Sequence, residues 1–334
     1  MTRDEDKILL AHGGGGELTS QLVADVILAG LGGVATGSLD DAAVLDVPGR
    51  LAFTTDSFVV KPLFFPGGDI GRLAVCGTVN DLSMRGARPL FVSLAFILEE
   101  GLEIGVLRRV VASIRIAAEE ARIKVATGDT KVVERGHADG LFINTSGVGA
   151  VADGVNISLR GARSGDEILV SGPMGNHAIA VLATREGMAF QTTVESDCAP
   201  LNHLASALLA ELGGDLHVMN DPTRGGLAMS LNTIASASGV AMEVDEQSVP
   251  VDSAVAFASE MLGLDVLALA NEGKLVAIVS RGAARRAETV MKKAGARPAR
   301  IGTVKPGKGV TLRSAGGGRR ILEIPYGEDA PRIC

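Results

Sequence analysis

The sequence predicts a mixed α/β protein of the α+β class, built as two domains and finished by a flexible tail. Apolar residues recur with helical and strand periods in alternation along the whole chain. With 334 residues, 46% of them hydrophobic, there is material for more than one sizeable core. The 43 glycines gather at junctions, where a mixed fold needs sharp turns and close backbone approaches.

The glycine loop 13–16 is followed by a helix over 17–31, because Leu18, Leu22, Val26 and Ala29 fall near one face. Residues 42–47 and 51–60 read as a hairpin whose turn is Pro48-Gly49-Arg50. A helix over 69–85, a strand over 90–98 and a long amphipathic helix over 103–121 come next, then strands at 124–126 and 141–151. This half, residues 1–153, is one sheet with helices against it. The second domain, 154–323, opens with a strand at 167–171, a Gly-Pro-Met-Gly-Asn turn and helices over 177–185 and 201–212. Asp221, with Pro222 behind it, has the chemistry of a helix N-cap, although the following Arg224-Gly225-Gly226 is unnecessary for a cap. Strands at 264–270 and 275–280 flank Asn271-Glu272-Gly273-Lys274, and a helix over 283–294 precedes the last strands. The tail 324–334 holds two prolines and a glycine, which resist helix and leave the terminal Cys334 on a mobile arm. Fully extended, it would reach about 36 Å.

Composition excludes several classes of function. A net charge of -7 with one Tyr and no Trp argues against nucleic acid as a partner. Residues 1–6 have no apolar signal core, and no run approaches the roughly 18 apolar residues of a membrane span, so the expected location is the cytoplasm, with no membrane partner. Three cysteines scattered at 76, 198 and 334 make neither a disulfide framework nor a zinc site, and Cys76 reads as core.

Chemistry concentrates where acidic residues recur at strand and turn ends: Asp40, Asp41, Asp56, Asp81 and Asp129. Converging carboxylates suit Mg²⁺ that keeps waters and phosphate oxygens as its other ligands. Lys131, beside Asp129, and the N–H groups of the glycine loop suit the same anion. The glycine loop lacks the lysine of a P-loop, and Gly147-Val148-Gly149 is followed by Asp153-Gly154, not by the helix of a dinucleotide site.

Gly13 to Gly16, Asp40-Asp41-Ala42-Ala43, Thr54-Thr55-Asp56-Ser57, Asn80-Asp81-Leu82 and Gly128-Asp129-Thr130-Lys131 together resemble the superfamily of aminoimidazole ribonucleotide synthetase, selenophosphate synthetase and thiamine-monophosphate kinase. With Asp221-Pro222-Thr223-Arg224-Gly225-Gly226, Asn271-Glu272-Gly273 and the terminal Pro331-Arg332-Ile333-Cys334, the chain closely resembles the HypE family of hydrogenase maturation factors over essentially its whole length. Neither Cys nor Lys stands beside the glycine loop, as it would in a selenophosphate synthetase.

The resemblance implies the two-domain aminoimidazole ribonucleotide synthetase-like architecture and a homodimer with ATP near the interface of the N-terminal domains. It implies that Cys334 receives a carbamoyl group from the carbamoyltransferase HypF. ATP-dependent dehydration then turns the S-carboxamide into an S-cyanide, which passes to the HypC–HypD iron scaffold for the [NiFe] hydrogenase cofactor. The expected ATP-binding residues are Asp40, Asp41, Asp56, Asn80, Asp81, Gly128, Asp129 and Thr130, with Asp41, Asp56, Asp81 and Asp129 as Mg²⁺ ligands. Cys334 is the expected carrier, Glu272 the first candidate for general base, Lys131 the stabiliser of the transferring phosphoryl group and His137 an assistant in proton transfer. Two alternatives stay open: a kinase or synthetase of the same superfamily acting on a free small molecule, and a non-catalytic scaffold whose tail docks a partner.

Overall fold

The computed structural model describes residues 6–36, 42–47, 49–185, 194–314, 316–325 and 332–334. In the first half these form α1 (Glu17–Leu22), a π-helical stretch (Val23–Leu28), α2 (Ala29–Leu31), β1 (Arg50–Phe58), a small hairpin of β2 (Phe64–Phe65) and β3 (Gly68–Asp69), α3 (Ile70–Met84), β4 (Ala87–Glu99), α4 (Ile104–Ala121), β5 (Lys124–Val133) and β6 (Leu141–Val151). Among the described residues the sheet order is β1-β6-β4-β5, with β4 and β5 parallel and the other pairs antiparallel.

α3 starts where it does because the Asp69 carboxylate accepts from the N–H groups of Gly71 at 2.7 Å and Arg72 at 3.1 Å, a cap of about 1 kcal/mol. It is buried on nearly every side, since it packs on β1, β4, β6 and α4 and also on α6 and β8 of the second half. That position makes α3 the joint between the halves.

The second half contains β7 (Glu167–Val170), α5 (Asn176–Arg185), α6 (Asn202–Leu212), β8 (Leu216–Asn220), α7 (Gly226–Ser238), β9 (Ala241–Asp245), α8 (Ser253–Leu262), β10 (Val276–Val279), α9 (Ala284–Lys293), β11 (Ala299–Lys305), β12 (Gly309–Arg313) and β13 (Arg319–Ile321). Its strands order as β13-β12-β9-β11-β7-β10-β8. Residues 178–182 of α5, with Val255 and Ala258 of α8, join the apolar core of the first sheet, as does Ile333 of the tail.

Several expectations are corrected. Residues 42–47 form no strand and pair with nothing in a ladder, and Val44 is 96% exposed; β1 takes β6, not this segment, as its neighbour. The strand expected at 124–126 runs on through 133. Gly128 reads as a breaker in sequence, but a Cβ there would sit 2.4 Å from the Leu94 carbonyl oxygen, so the glycine is what lets β4 approach. Residues 264–270 hold a short 3₁₀ turn, Val266–Ala268, started by Asp265, not a strand. α7 begins at Gly226 with Gly225 as its N-cap, so Asp221 caps nothing. Pro48, Asp40 and Asp41 lie outside the described residues. Contrary to expectation, one helical stretch, Glu17–Val34, is long and apolar enough to cross a membrane by length and composition, with mean hydropathy 1.3. Leu22, Val26, Ile27 and Leu31 within it are buried in the first core.

Gly226 has φ +58, and a Cβ there would stand 2.5 Å from the Leu269 carbonyl oxygen. Gly226→Ala is expected to lose at least about 2 kcal/mol of stability, from left-handed strain plus backbone overlap. Gly214→Ala, with nothing within 4 Å, should unfold at the wild-type denaturant concentration. Equal midpoints for the two variants would contradict this account of the α7 start.

Candidate functional site

The first part of the site is a cavity of about 470 Å³ between the glycine loop, the 17–31 helical segment and β5. Val23, Ile27, Leu31 and Phe96 give it apolar walls, and Gly13 to Gly15, Asp129, Thr130 and Lys131 give it a polar mouth. The loop lies directly on β5: a Cβ on Gly13 would come within 2.6 Å of the Val132 nitrogen. At the mouth Lys131 Nζ meets Asp129 Oδ1 at 2.8 Å, and the Thr130 N–H donates to the same oxygen at 2.8 Å. The lysine first, then the Thr130 N–H, holds the Asp129 carboxyl below its usual range. Both side chains are more than half exposed, so the pair is cheap to open for a phosphate. An apolar slot with an anion-binding mouth suits a nucleotide.

The second part is a nest of acids at the junction of the halves. Asp56 lies on β1, Asp81 on α3, Asp221 after β8 and Glu272 in the Asn-Glu-Gly turn. Thr54 Oγ1 donates to Asp81 Oδ2 at 2.7 Å. Burial and then Asp81 push Asp56 up to about 6, against the pull of Arg224. Burial, then Asp81 and Asp56, push Asp221 up to about 7. Burial raises Asp81, opposed by Thr54 and Arg224. Glu272, 3% exposed, is pushed well above the carboxylate range by burial, then by Asp221, Asp197 and Asp56. It is therefore not a solvent-facing turn residue. Repulsion among hard oxygen donors is what a divalent cation relieves, so the donor chemistry fits Mg²⁺. Among the described residues no group of three or more His, Cys, Asp or Glu is arranged to hold a metal. The fit is to an ion that takes one or two carboxylates and fills its shell with water and phosphate.

Asp129 does not join this nest within one chain, which corrects the expected convergence. Asp56 pairs with Thr145, Thr145 with Leu94 and Leu94 with Gly128, while Ser57, Asn144, Ala95 and Asp129 form the next row. Neighbouring rows project to opposite faces of a sheet, so Asp129 and Asp56 point apart. The spacing of three strands separates them by about a further 14 Å.

The turn that carries Glu272 is fixed by backbone contacts. Asn271 Oδ1 accepts from the Gly175 N–H at 2.8 Å, and its Nδ2 donates to the carbonyls of Pro222 at 3.1 Å and Leu269 at 3.0 Å. Asp197 accepts from the N–H groups of Glu272 at 3.2 Å and Gly273 at 3.3 Å, and Lys274 Nζ lies 3.2 Å from it. Gly273 is required, because a Cβ there would stand 1.8 Å from the Asp197 carbonyl oxygen. Asn80 Nδ2 donates to the carbonyls of Ala199 at 3.1 Å and Glu272 at 3.2 Å, and Asn80 Oδ1 accepts from the Leu201 N–H at 2.7 Å. Asn80 thus acts as a brace for the acids' surroundings.

The end of the chain, read as a free arm in sequence, is docked. The N–H groups of Val59 and Lys61 donate to the carbonyls of Cys334 at 3.3 Å and Arg332 at 3.2 Å, an antiparallel run just beyond β1. The Arg332 guanidinium donates twice to the Val59 carbonyl at 3.1 Å and pairs with Asp139. Arg185 donates to the Arg332 carbonyl at 2.6 Å, and His177 Nε2 lies 2.6 Å from the Ile333 carbonyl. Ile333 is buried and Cys334 packs against the first core. His137 is exposed on the turn before Asp139, away from the acid nest's hydrogen bonds. Cys76 and Cys198, far apart in sequence, are both buried in the first core, where Cys76 and burial push the Cys198 thiol well up; neither is in a disulfide.

Sequence reasoning left Asp221 between a cap and a family motif and assigned it to no site, and it missed Asp197, His177 and Ser196, which carry no motif. For Asp221 the surplus Arg-Gly-Gly after a sufficient cap was the available signal.

Residues 39–151 match the family model of the AIR synthase related protein, N-terminal domain, and residues 163–314 that of the C-terminal domain. The chain is 44% identical over 344 aligned residues to the carbamoyl dehydratase HypE of Rhodobacter capsulatus, covering 100% of both. It superposes with TM-score 0.94 and 47% identity on a crystal structure of hydrogenase maturation protein HypE in complex with ATP, covering 98% of this chain and 99% of that one. The HypE chain of a HypE–HypF complex gives TM-score 0.80 at 46% identity, covering 93% and 100%.

Asp221 holds a proton in the folded chain up to about pH 7, whereas the unfolded chain releases it near 3.8. Its contribution to stability is full below pH 3.8 and lost as pH rises through about 7. In the presence of a chelator, Asp221→Asn should be more stable than wild type at about pH 8, by at most about 4 kcal/mol, and equal to it near pH 4. Urea unfolding across that range measures the gap, and a gap that does not change with pH contradicts the acid nest.

Proposed function

The chain belongs to the HypE family of carbamoyl dehydratases, and we propose that it converts an S-carboxamide on its own Cys334 into an S-cyanide at the expense of ATP. The observation that carries this reading is the docked Arg332-Ile333-Cys334 end, held by His177, whose ring also bonds Ser196 in the segment that fixes the backbone of Glu272.

The Cys334 thiolate takes its carbamoyl group from HypF, since a relative is known in complex with that protein. An amide oxygen is a poor leaving group. Transfer of the ATP γ-phosphoryl to that oxygen makes phosphate the leaving group, and the C–O bond then breaks as the C≡N bond forms. Both N–H protons must depart, one at each stage. Glu272 accepts the first, because burial and neighbouring acids give its carboxylate a high proton affinity, passes it to the phosphate, then accepts the second and releases it to solvent. The sum is S-carboxamide plus ATP to S-cyanide, ADP, phosphate and one proton. Cys334 is thus substrate and carrier, and the cyanide goes on to the HypC–HypD scaffold during [NiFe] hydrogenase maturation.

ATP occupies the cavity under the glycine loop, with Gly128, Asp129, Thr130 and Lys131 at its phosphates; Asp40 and Asp41, outside the described residues, serve the same site. Asp56 and Asp81 would hold Mg²⁺, which neutralises charge on the transferring phosphoryl group. The open face of the first sheet exposes Leu51, Phe53 and Ile97, which supports a homodimer closed over it. Across such a dimer Asp129 and Lys131 of one subunit can serve the phosphates, while Asp56 and Asp81 of the other would hold the cation. Residues 1–153 then form the ATP-binding half, 154–323 the half that carries Glu272, and 324–334 the carrier tail, working in the cytoplasm. His137 has no step to perform in this scheme.

Intact-protein mass after incubation with HypF, carbamoyl phosphate and Mg-ATP tests the scheme. Wild type should gain a carbamoyl group and then lose one water, whereas Cys334→Ala should do neither while still binding ATP. Dehydrated product on the Ala variant would end the self-modification reading. Asp81→Asn should weaken Mg-ATP binding about tenfold or more, and unchanged affinity would remove Asp81 from the cation's ligands.

A further inference from the structure

Ser196, Asp197 and Cys198 lie in a segment without secondary structure that is linked to the tail through His177 on one side and bonds the backbone of Glu272 on the other. His177, in the first turn of α5, is wholly buried. Its Nε2 faces the Ile333 carbonyl, which can only accept, so this nitrogen carries the N–H. Its Nδ1 lies 2.8 Å from Ser196 Oγ, and that oxygen in turn accepts from the Cys198 N–H at 3.1 Å. With the ring neutral, the Ser196 hydroxyl donates to Nδ1 and every partner in the chain is satisfied. Burial favours that neutral form over the pull of Asp197.

The surroundings leave the ring one orientation. Phe65 stands edge-on to it, with centroids 5.4 Å apart at 87°. The Ser196 backbone is pressed against the β2–β3 hairpin: its N–H donates to the Pro66 carbonyl at 2.8 Å, and a Cβ on Gly67 would come within 2.7 Å of the Ser196 nitrogen and oxygen. The next residue, Asp197, accepts from the N–H groups of Glu272 and Gly273.

We propose that His177, oriented by Ser196, is a positioning residue for the dehydration: it holds the docked tail by the Ile333 carbonyl and, through Ser196 and Asp197, keeps it in register with Glu272. The proposal rests on the carbamoyl dehydratase reading and adds to it the group that seats the tail. Release of the tail leaves a buried imidazole N–H without its acceptor, so docking is favoured until another protein draws the tail away.

The test uses the full chain and two readouts. One is the rate at which iodoacetamide alkylates Cys334, located by peptide mass. The other is the single-turnover loss of water from the HypF-carbamoylated chain when Mg-ATP is added. His177→Leu should raise alkylation about tenfold and slow dehydration about tenfold, with ATP affinity at the wild-type value. His177→Gln, whose amide N–H can reach the same carbonyl, should restore both rates to within about threefold. A purely structural role would not predict that rescue. Should His177→Leu fail to fold, Ser196→Ala removes only the hydroxyl that orients the ring and should raise alkylation about threefold. Equal behaviour of the Leu and Gln variants, or unchanged alkylation in His177→Leu and Ser196→Ala, overturns the proposal. Alkylation needs no carbamoyl chemistry, so a wild type that never forms a thiocyanate refutes the dehydratase reading, and the tail contact is then decided by alkylation alone.

Discussion

Asn80 spends its whole side chain on the junction between the two halves, and the candidate site depends on it. It is 1% exposed and makes three hydrogen bonds, to the backbone of Ala199, Leu201 and Glu272. A buried amide with its bonds made fixes a geometry, and one left unmade costs about 1–3 kcal/mol, so the junction has one favoured seating. The next residue on α3, Asp81, faces Thr54 of β1. One turn of one helix therefore sets Asp81, the proposed cation ligand, against the first sheet and ties the turn of Glu272, the proposed base, to the first half.

The acids carry an electrostatic cost that the fold does not relieve by itself. Asp56, Asp81, Asp221 and Glu272 all sit above their ordinary proton affinities, because burial raises each of them and neighbouring acids add to it in Asp56, Asp221 and Glu272. Such strain is common where a site must exchange charge with its ligands. The same repulsion that makes room for a cation beside Asp56 and Asp81 makes Glu272 a stronger base. In the proposed reaction, cation binding and proton abstraction are thus two uses of one arrangement.

Much of the fold was legible because its elements are long and their patterns local. α3 and α4 follow from helical spacing, and β6 from its run of apolar and β-branched residues. What failed depended on partners distant in sequence. Residues 42–47 have strand composition but no ladder, and β5 continues through Gly128 because a neighbouring strand presses there. In the site, Asp56, Asp81, Asp129 and Glu272 stood out as motif residues, yet their grouping did not, because the face on which Asp129 projects is set by a register running through four strands. His177 and Asp197 had no signal at all. Their decisive bonds join residues 156 and 75 positions apart, to Ile333 and Glu272.

The central claim is that Glu272 removes the protons of a carboxamide held on Cys334. The most direct measurement is carbon NMR of the chain carbamoylated from ¹³C-labelled carbamoyl phosphate, followed after Mg-ATP is added, in wild type and in Glu272→Gln. The account predicts that the wild-type carbonyl signal gives way to a thiocyanate signal, while Glu272→Gln binds ATP but keeps its label out of the nitrile. Thiocyanate formed by Glu272→Gln at the wild-type rate would contradict it.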